Sequence, residues 1–300
     1  MAIIAFLGLL VAVRYLLPPQ VPSSIGLGGS RPSVQPRRSP GQLRALAAAR
    51  VTPSSATNPV KSFVSLLGPG ATNYLGGLSA LQALPSTLSS NQVDTLRTLF
   101  FVAYTPDQPL SPLEFNGVKN AAAEFLLQQP AFPAEVLADL VVQHADPLQD
   151  EVWRDYSLQM LTTGYLNLAG RVESDPDATA ARELALVTLK GASSAGGGTW
   201  PGTALLGLNT ILASEPSAFP REELDSRILA VISDTSASEA ALITASRLAG
   251  MSHLASARPA LETLARDSVS ELVRAVAAKS ISEIDMNVSS NSVKVTAISN

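Results

Sequence analysis

The sequence predicts an all-α protein. From about Ser62 onward apolar residues recur at spacings of 3, 4 and 7, and segments are bounded by capping residues instead of hairpin turns. Only 15% of the 300 residues are charged, against a usual quarter or so, and 46% are hydrophobic, which excludes wholesale disorder. A folded helical body is the consequence.

The first element is an unbroken apolar run, Ala2 to Val13, followed by Arg14, Tyr15 and the helix-stopping pair Pro18-Pro19. Residues 1–17 therefore read as a hydrophobic membrane anchor. As a helix the run spans about 24 Å, slightly less than a ~30 Å hydrocarbon core, with Arg14 reaching the interface. A cleaved secretory signal competes with this reading, but no basic residue precedes the run and no small-residue cleavage site follows Leu17. A buried helix is the third alternative.

Residues 18–61 are rich in Pro, Ser, Gly and Arg and read as a disordered tether. Residues 1–93 contain seven basic side chains and no acid, whereas the remaining 207 contain 14 basic and 25 acidic ones, a balance of −11. Arg14, Arg31, Arg37 and Arg38 are candidate contacts for anionic lipid, against the plainer reading of a solvated linker. The basic flank argues for a cytoplasmic body by the positive-inside rule. The anchor, spacer and cysteine-free domain together resemble bacterial envelope proteins, which favours the extracytoplasmic side.

Residues 62–285 form the expected helical domain, with helices near 78–89, 91–104, 112–128, 134–144, 148–166, 178–190, 201–213, 222–233, 237–249, 258–266 and 269–284. Ser111/Glu114, Ser236/Glu239 and Ser268/Glu271 are capping-box pairs, in which hydroxyl and carboxylate each accept a backbone N–H. Pro112, Pro133, Pro201 and Pro259 suit first-turn positions. Residues 286–300 form a C-terminal tail, read as frayed or as a short strand through Val293 and Val295.

A shift of 33 residues superposes Ile228 on Leu261, Val231 on Leu264, Asp234 on Asp267, Ala245 on Ala278 and Leu248 on Ile281. In the last unit the string DSVSELVRAVAAKSI carries Asp267, Val273-Arg274, Ala277-Ala278 and Ile281. It resembles the second helix of HEAT-like repeats, and Asp146-Pro147 with Trp153-Arg154 is a weaker match. The resemblance implies an α-solenoid of antiparallel helix pairs, a fold used mostly as a binding scaffold. Arg154, Asp234, Asp267 and Arg274 would be the residues of an inter-repeat ladder, interrupted where Ala241 stands in place of the arginine.

Chemistry is constrained by what is missing. With no cysteine and two histidines there is no thiolate metal site, disulfide or cysteine nucleophile, and little for a histidine-based centre. No catalytic, metal or cofactor residues are expected. His144 and Asp146 end a helix, where a cationic histidine suits the dipole. The glycine loop from Ala195 to Thr203 precedes a helix but lacks the Lys-Ser/Thr of a phosphate-binding loop, so Trp200 is expected to seat it, with Thr199 as cap. The −11 balance disfavours nucleic acid as a partner of the body. The expected function is a membrane-tethered, non-enzymatic scaffold that binds a partner protein. The alternative is an envelope enzyme acting on glycan, using carboxylates among Asp150, Asp155 and Glu183.

Overall fold

The computed structural model describes Tyr74, Leu81, Leu84, Pro85, residues 87–106, 110–194, Gly196 and residues 198–298, with 287–298 as backbone. The expected anchor and tether, with Arg14, Arg31, Arg37 and Arg38, lie outside the described residues. Among the described residues no helix is long and apolar enough to cross a membrane.

The described residues form ten α-helices, without strands. They are α1 Ser90–Thr98, α2 Pro112–Leu127, α3 Glu135–Ala145, α4 Glu151–Asn167, α5 Pro176–Ala192, α6 Trp200–Ser214, α7 Arg221–Ser233, α8 Glu239–Met251, α9 Arg258–Asp267 and α10 Glu271–Ile298. The stretch expected as one helix over 91–104 divides after Thr98, where Leu99–Phe101 tightens into a 3-10 turn. The largest difference is at the C-terminus. The helix expected to end at 284 continues to Ile298, through the stretch read as a frayed or strand-like tail.

Consecutive helices pair, α1 with α2, α3 with α4, and so on to α9 with α10. Each even-numbered helix also packs against the next even-numbered one, from α2 through α4, α6 and α8 to α10. Small residues make those even-numbered contacts close. A Cβ on Gly207 of α6 would collide with the Thr162 hydroxyl of α4, and one on Gly202 would lie 3.1 Å from the Ala241 Cα of α8. One on Gly250 of α8 would lie 2.9 Å from the Ser280 Cα of α10. The core follows the helical stripes: Leu126, Leu137, Leu140, Leu158, Leu161, Leu205, Leu208, Ile228 and Leu261 are fully buried. Packed burial of this kind, not propensity, stabilises helices of this length.

The caps refine the boundaries. Ser111 and Glu114 form the expected capping box, with Pro112 at the first helical position. At the other two sites the capping serine lies two residues later. Ser238 accepts from the Ala241 N–H, and Ser270 accepts from the Val273 N–H. The reason is local competition: the Ser236 hydroxyl donates to the Asp234 carboxylate (2.7 Å), and the Ser268 hydroxyl accepts from the Ser270 N–H. Ser238 and Ser270 are left to cap, each worth about 1 kcal/mol.

The 33-residue shift describes the buried residues of α7 and of α9 with the 3-10 turn before it, where Leu224 and Ile228 correspond to Ala257 and Leu261. The second helices instead match at 32. Ala241, Ala245 and Leu248 correspond to Val273, Ala277 and Ser280, all buried, whereas Ala278 is exposed. A shorter turn before α10 accounts for the slip, since the cap Ser270 lies three positions after Asp267 and Ser238 four positions after Asp234.

Candidate functional site

The most unusual chemistry lies where α2 meets the start of α4. Phe115, Val118, Ala122 and Leu126 line the buried stripe of α2, and Lys119 stands in that stripe at 1% exposure. Its Nζ donates to the Val102 carbonyl just after the 3-10 turn and to Gln149 Oε1 in the turn before α4, both at 3.0 Å. Two rings flank it, Trp153 at 4.7 Å and Phe115 at 5.5 Å from the nitrogen. Phe100 packs on Trp153 and Tyr104 on the edge of Phe115. Burial pulls the Lys119 amine down to about 7, against the opposing pull of Asp150 and then Asp146.

The surrounding polar groups are tied down. Asn116 donates to Asp150 at 2.6 Å, and the same Asp150 oxygen accepts the Val152 N–H as the cap of α4. The Trp153 indole N–H donates to Gln143 at 3.2 Å. The next residue, Arg154, donates from Nε to the His144 carbonyl (2.8 Å), and its guanidinium stacks 4.9 Å from the Trp200 ring. His144 meets the same ring edge-on. Its Nδ1 lies 3.2 Å from the Arg154 carbonyl, which only accepts, so that nitrogen carries the proton. Burial lowers the His144 pKa, against the opposing hydrogen bond to the Arg154 carbonyl, and the charge of Arg154 adds to the lowering. His144 therefore serves as a bracket between α3, α4 and α6.

Trp200 packs on the core as the loop reading expects, but Thr199 does not cap with its side chain. Thr199 and Thr203 instead lie near Asp155. That carboxylate is raised above the usual aspartate range, first by burial, with Thr203, Thr199 and Gln159 opposing. Its Oδ1 has no hydrogen-bond partner.

The residues expected to form a ladder are placed separately. Asp234 closes its own turn through the Ser236 N–H and hydroxyl, Asp267 pairs with Arg266, and Arg274 donates to the Ser268 carbonyl. Of the four, Arg154 reaches another helix pair, by stacking on Trp200. The hydrogen bonds between neighbouring pairs come from other residues. Arg97 bonds Asp139 (2.6 Å) and Lys190 bonds Glu223 (2.7 Å), each between the first helices of successive pairs; Arg171 bonds the Phe132 carbonyl (2.7 Å) from one connecting segment to another, and Arg182 of α5 bonds Glu215 at the C-terminal cap of α6, within one pair. Arg182 also stacks 4.0 Å from Tyr165, and Lys190 4.9 Å from Phe219. Two of these bonds, Arg182 to Glu215 and Lys190 to Glu223, span 33 residues each. A separation equal to the sequence period is the signal that could have found them.

The acids weighed as catalytic groups do not share one pocket. Asp150 caps α4 beside Asn116, Asp155 is buried near Thr199 and Thr203, and Glu183 lines an open groove of about 430 Å³ with Glu173, Asp175 and Thr179. Among the described residues no group of three or more metal-binding side chains comes together. No family model matches the chain, and neither does any curated protein or solved structure.

Proposed function

We propose that the chain is a HEAT-like α-solenoid that works as a membrane-tethered, non-enzymatic scaffold, binding a partner protein along its helical surface. The observation that carries this reading is the bond at the repeat period from Lys190 of α5 to Glu223 of α7, with Arg97 of α1 to Asp139 of α3 likewise joining the first helices of successive pairs. Glycines at the close even-numbered contacts support it, because stacked repeats bury a shared core only if their second helices approach closely. Helices α3 and α5 leave Val142, Leu184 and Val187 exposed to solvent, which provides apolar anchoring points for a partner. The apolar run at the N-terminus supplies the tether, and the body lies on the extracytoplasmic side. An enzyme built on Asp150, Asp155 and Glu183 has less support, since those carboxylates have separate neighbours.

The test is affinity capture from membranes with the full chain and with a V142E/L184E/V187E variant that retains helical circular dichroism. The reading expects a reproducible partner that the variant loses. Identical capture by both chains would contradict it.

A further inference from the structure

We propose that Lys119 is a proton-operated latch that fastens the first helix pair to the second, holding the segment after the 3-10 turn against the turn before α4. The donor count carries the argument. Lys119 Nζ meets two oxygen acceptors, the Val102 carbonyl and Gln149 Oε1, and two aromatic rings. A neutral amine has two N–H donors and satisfies both acceptors. Protonation adds a third donor and a full charge at a site with 1% exposure, where the rings return only part of the lost hydration.

The charged groups facing the amine come from one side. Asp150 and Asp146 flank the turn before α4, and Asp150 is already committed to Asn116 and the α4 cap. The stretch from Leu99 to Tyr104 contributes no charged side chain, and Arg97 on α1 is held by Asp139. On α2 itself Glu114 is held by Ser111, whose hydrogen bonds keep that carboxylate below its ordinary range. Burial therefore dominates, and the folded amine titrates at about 7 where a solvated lysine titrates near 10.5.

The direction of the switch follows. Between about 7 and 10.5 the opened state binds the extra proton, so opening becomes easier as the pH falls through that window and levels off below about 7. An opening that fully solvates Lys119 takes up close to one proton, so its equilibrium constant changes up to about tenfold per pH unit. Acidification loosens residues 99–106 and α2 while α8 and α9, which contain no part of the latch, stay closed.

The chain carries two tryptophans, so W200F leaves Trp153 as its one indole reporter, 4.7 Å from the Lys119 nitrogen, and removes the ring that His144 touches. Trp153 emission in full-length W200F is expected to titrate with a midpoint near 7, and the step is expected to vanish in W200F/K119M. Hydrogen-exchange protection of residues 99–106, corrected for intrinsic rates, is expected to rise about tenfold from pH 7.5 to 8.5 in the unaltered chain. Protection of 239–267 should stay constant. No emission step between pH 6 and 9, a step that persists in W200F/K119M, or protection that rises equally in both segments would each overturn the proposal. The W200F titration and the exchange measurement do not depend on K119M folding.

Discussion

Replacing Trp153 with alanine is expected to lower the unfolding free energy by about 4 kcal/mol, the middle of the range for deleting a buried aromatic. Trp153 is fully buried, packs on Phe100 at 5.6 Å between ring centres, and donates its indole N–H to Gln143. Three losses add up. The side chain's apolar area returns to water, the neighbours close over the void only in part, and Gln143, itself 1% exposed, loses its donor. Lys119 also loses the nearer of its two rings, so W153A is expected to depress K119M less than the unaltered chain, a coupling that a double-mutant cycle reads. Urea unfolding followed by far-UV circular dichroism measures both effects. A loss below about 1 kcal/mol would mean that Trp153 is not the keystone of the α2–α4 contact.

Gly250→Leu is expected to be of similar size through overpacking. The Cβ of any residue at 250 would lie 2.9 Å from the Ser280 Cα and Cβ of α10, and the Glu283 carboxylate also stands in its way. A flexible carboxylate can swing aside, but a helix backbone cannot, so α8 and α10 must separate. Separation of two helices along a whole face exceeds the ordinary 1–3 kcal/mol of core overpacking. The expected result is a loss of at least about 3 kcal/mol, with exchange protection falling in α9 and α10 and holding in α2 to α4. Uniform protection in G250L would show that the two helices are not in close contact there.

Much of the architecture was legible in the spacing of apolar residues. Long stripes such as Phe115, Val118, Ala122 and Leu126 have no alternative to a helix, and Pro112 and Ser111 mark its start. The serine caps before α8 and α10 were not legible, because S-x-S-E offers two hydroxyls and the neighbouring aspartate or N–H decides which is free. The tail from Val288 to Ile298 was ambiguous for a different reason. Its few apolar residues fit a period of two as well as one near 3.6, and the helix continues from α10 without a breaking residue. Lys119 carried a readable signal, a cation four residues after Phe115 and three before Ala122 in the apolar stripe. A lysine in such a place ordinarily reaches out to solvent along its own stem, and only the Val102 carbonyl and Gln149, both distant in sequence, hold it inside. The bonds from Arg182 to Glu215 and from Lys190 to Glu223 were missed because a single charge has no local pattern that names its partner 33 residues away.

The central proposal is a row of stacked helix pairs, and a distance between its ends tests it most directly. The chain contains no cysteine, so two introduced thiols carry spin labels without background. Gln128 at the end of α2 and Ser282 on α10 are exposed and lie at matching heights through successive contacts, Leu127 with Asn167, Thr162 with Gly207, Gly202 with Ala241 and Gly250 with Ser280. Four helix-to-helix steps of about 8–10 Å each place the labels in Q128C/S282C roughly 30–40 Å apart. A dipolar distance distribution centred in that range, in the full-length chain, is the predicted result. A distribution centred below about 20 Å, as expected when helices at those spacings close into a bundle, would contradict the row.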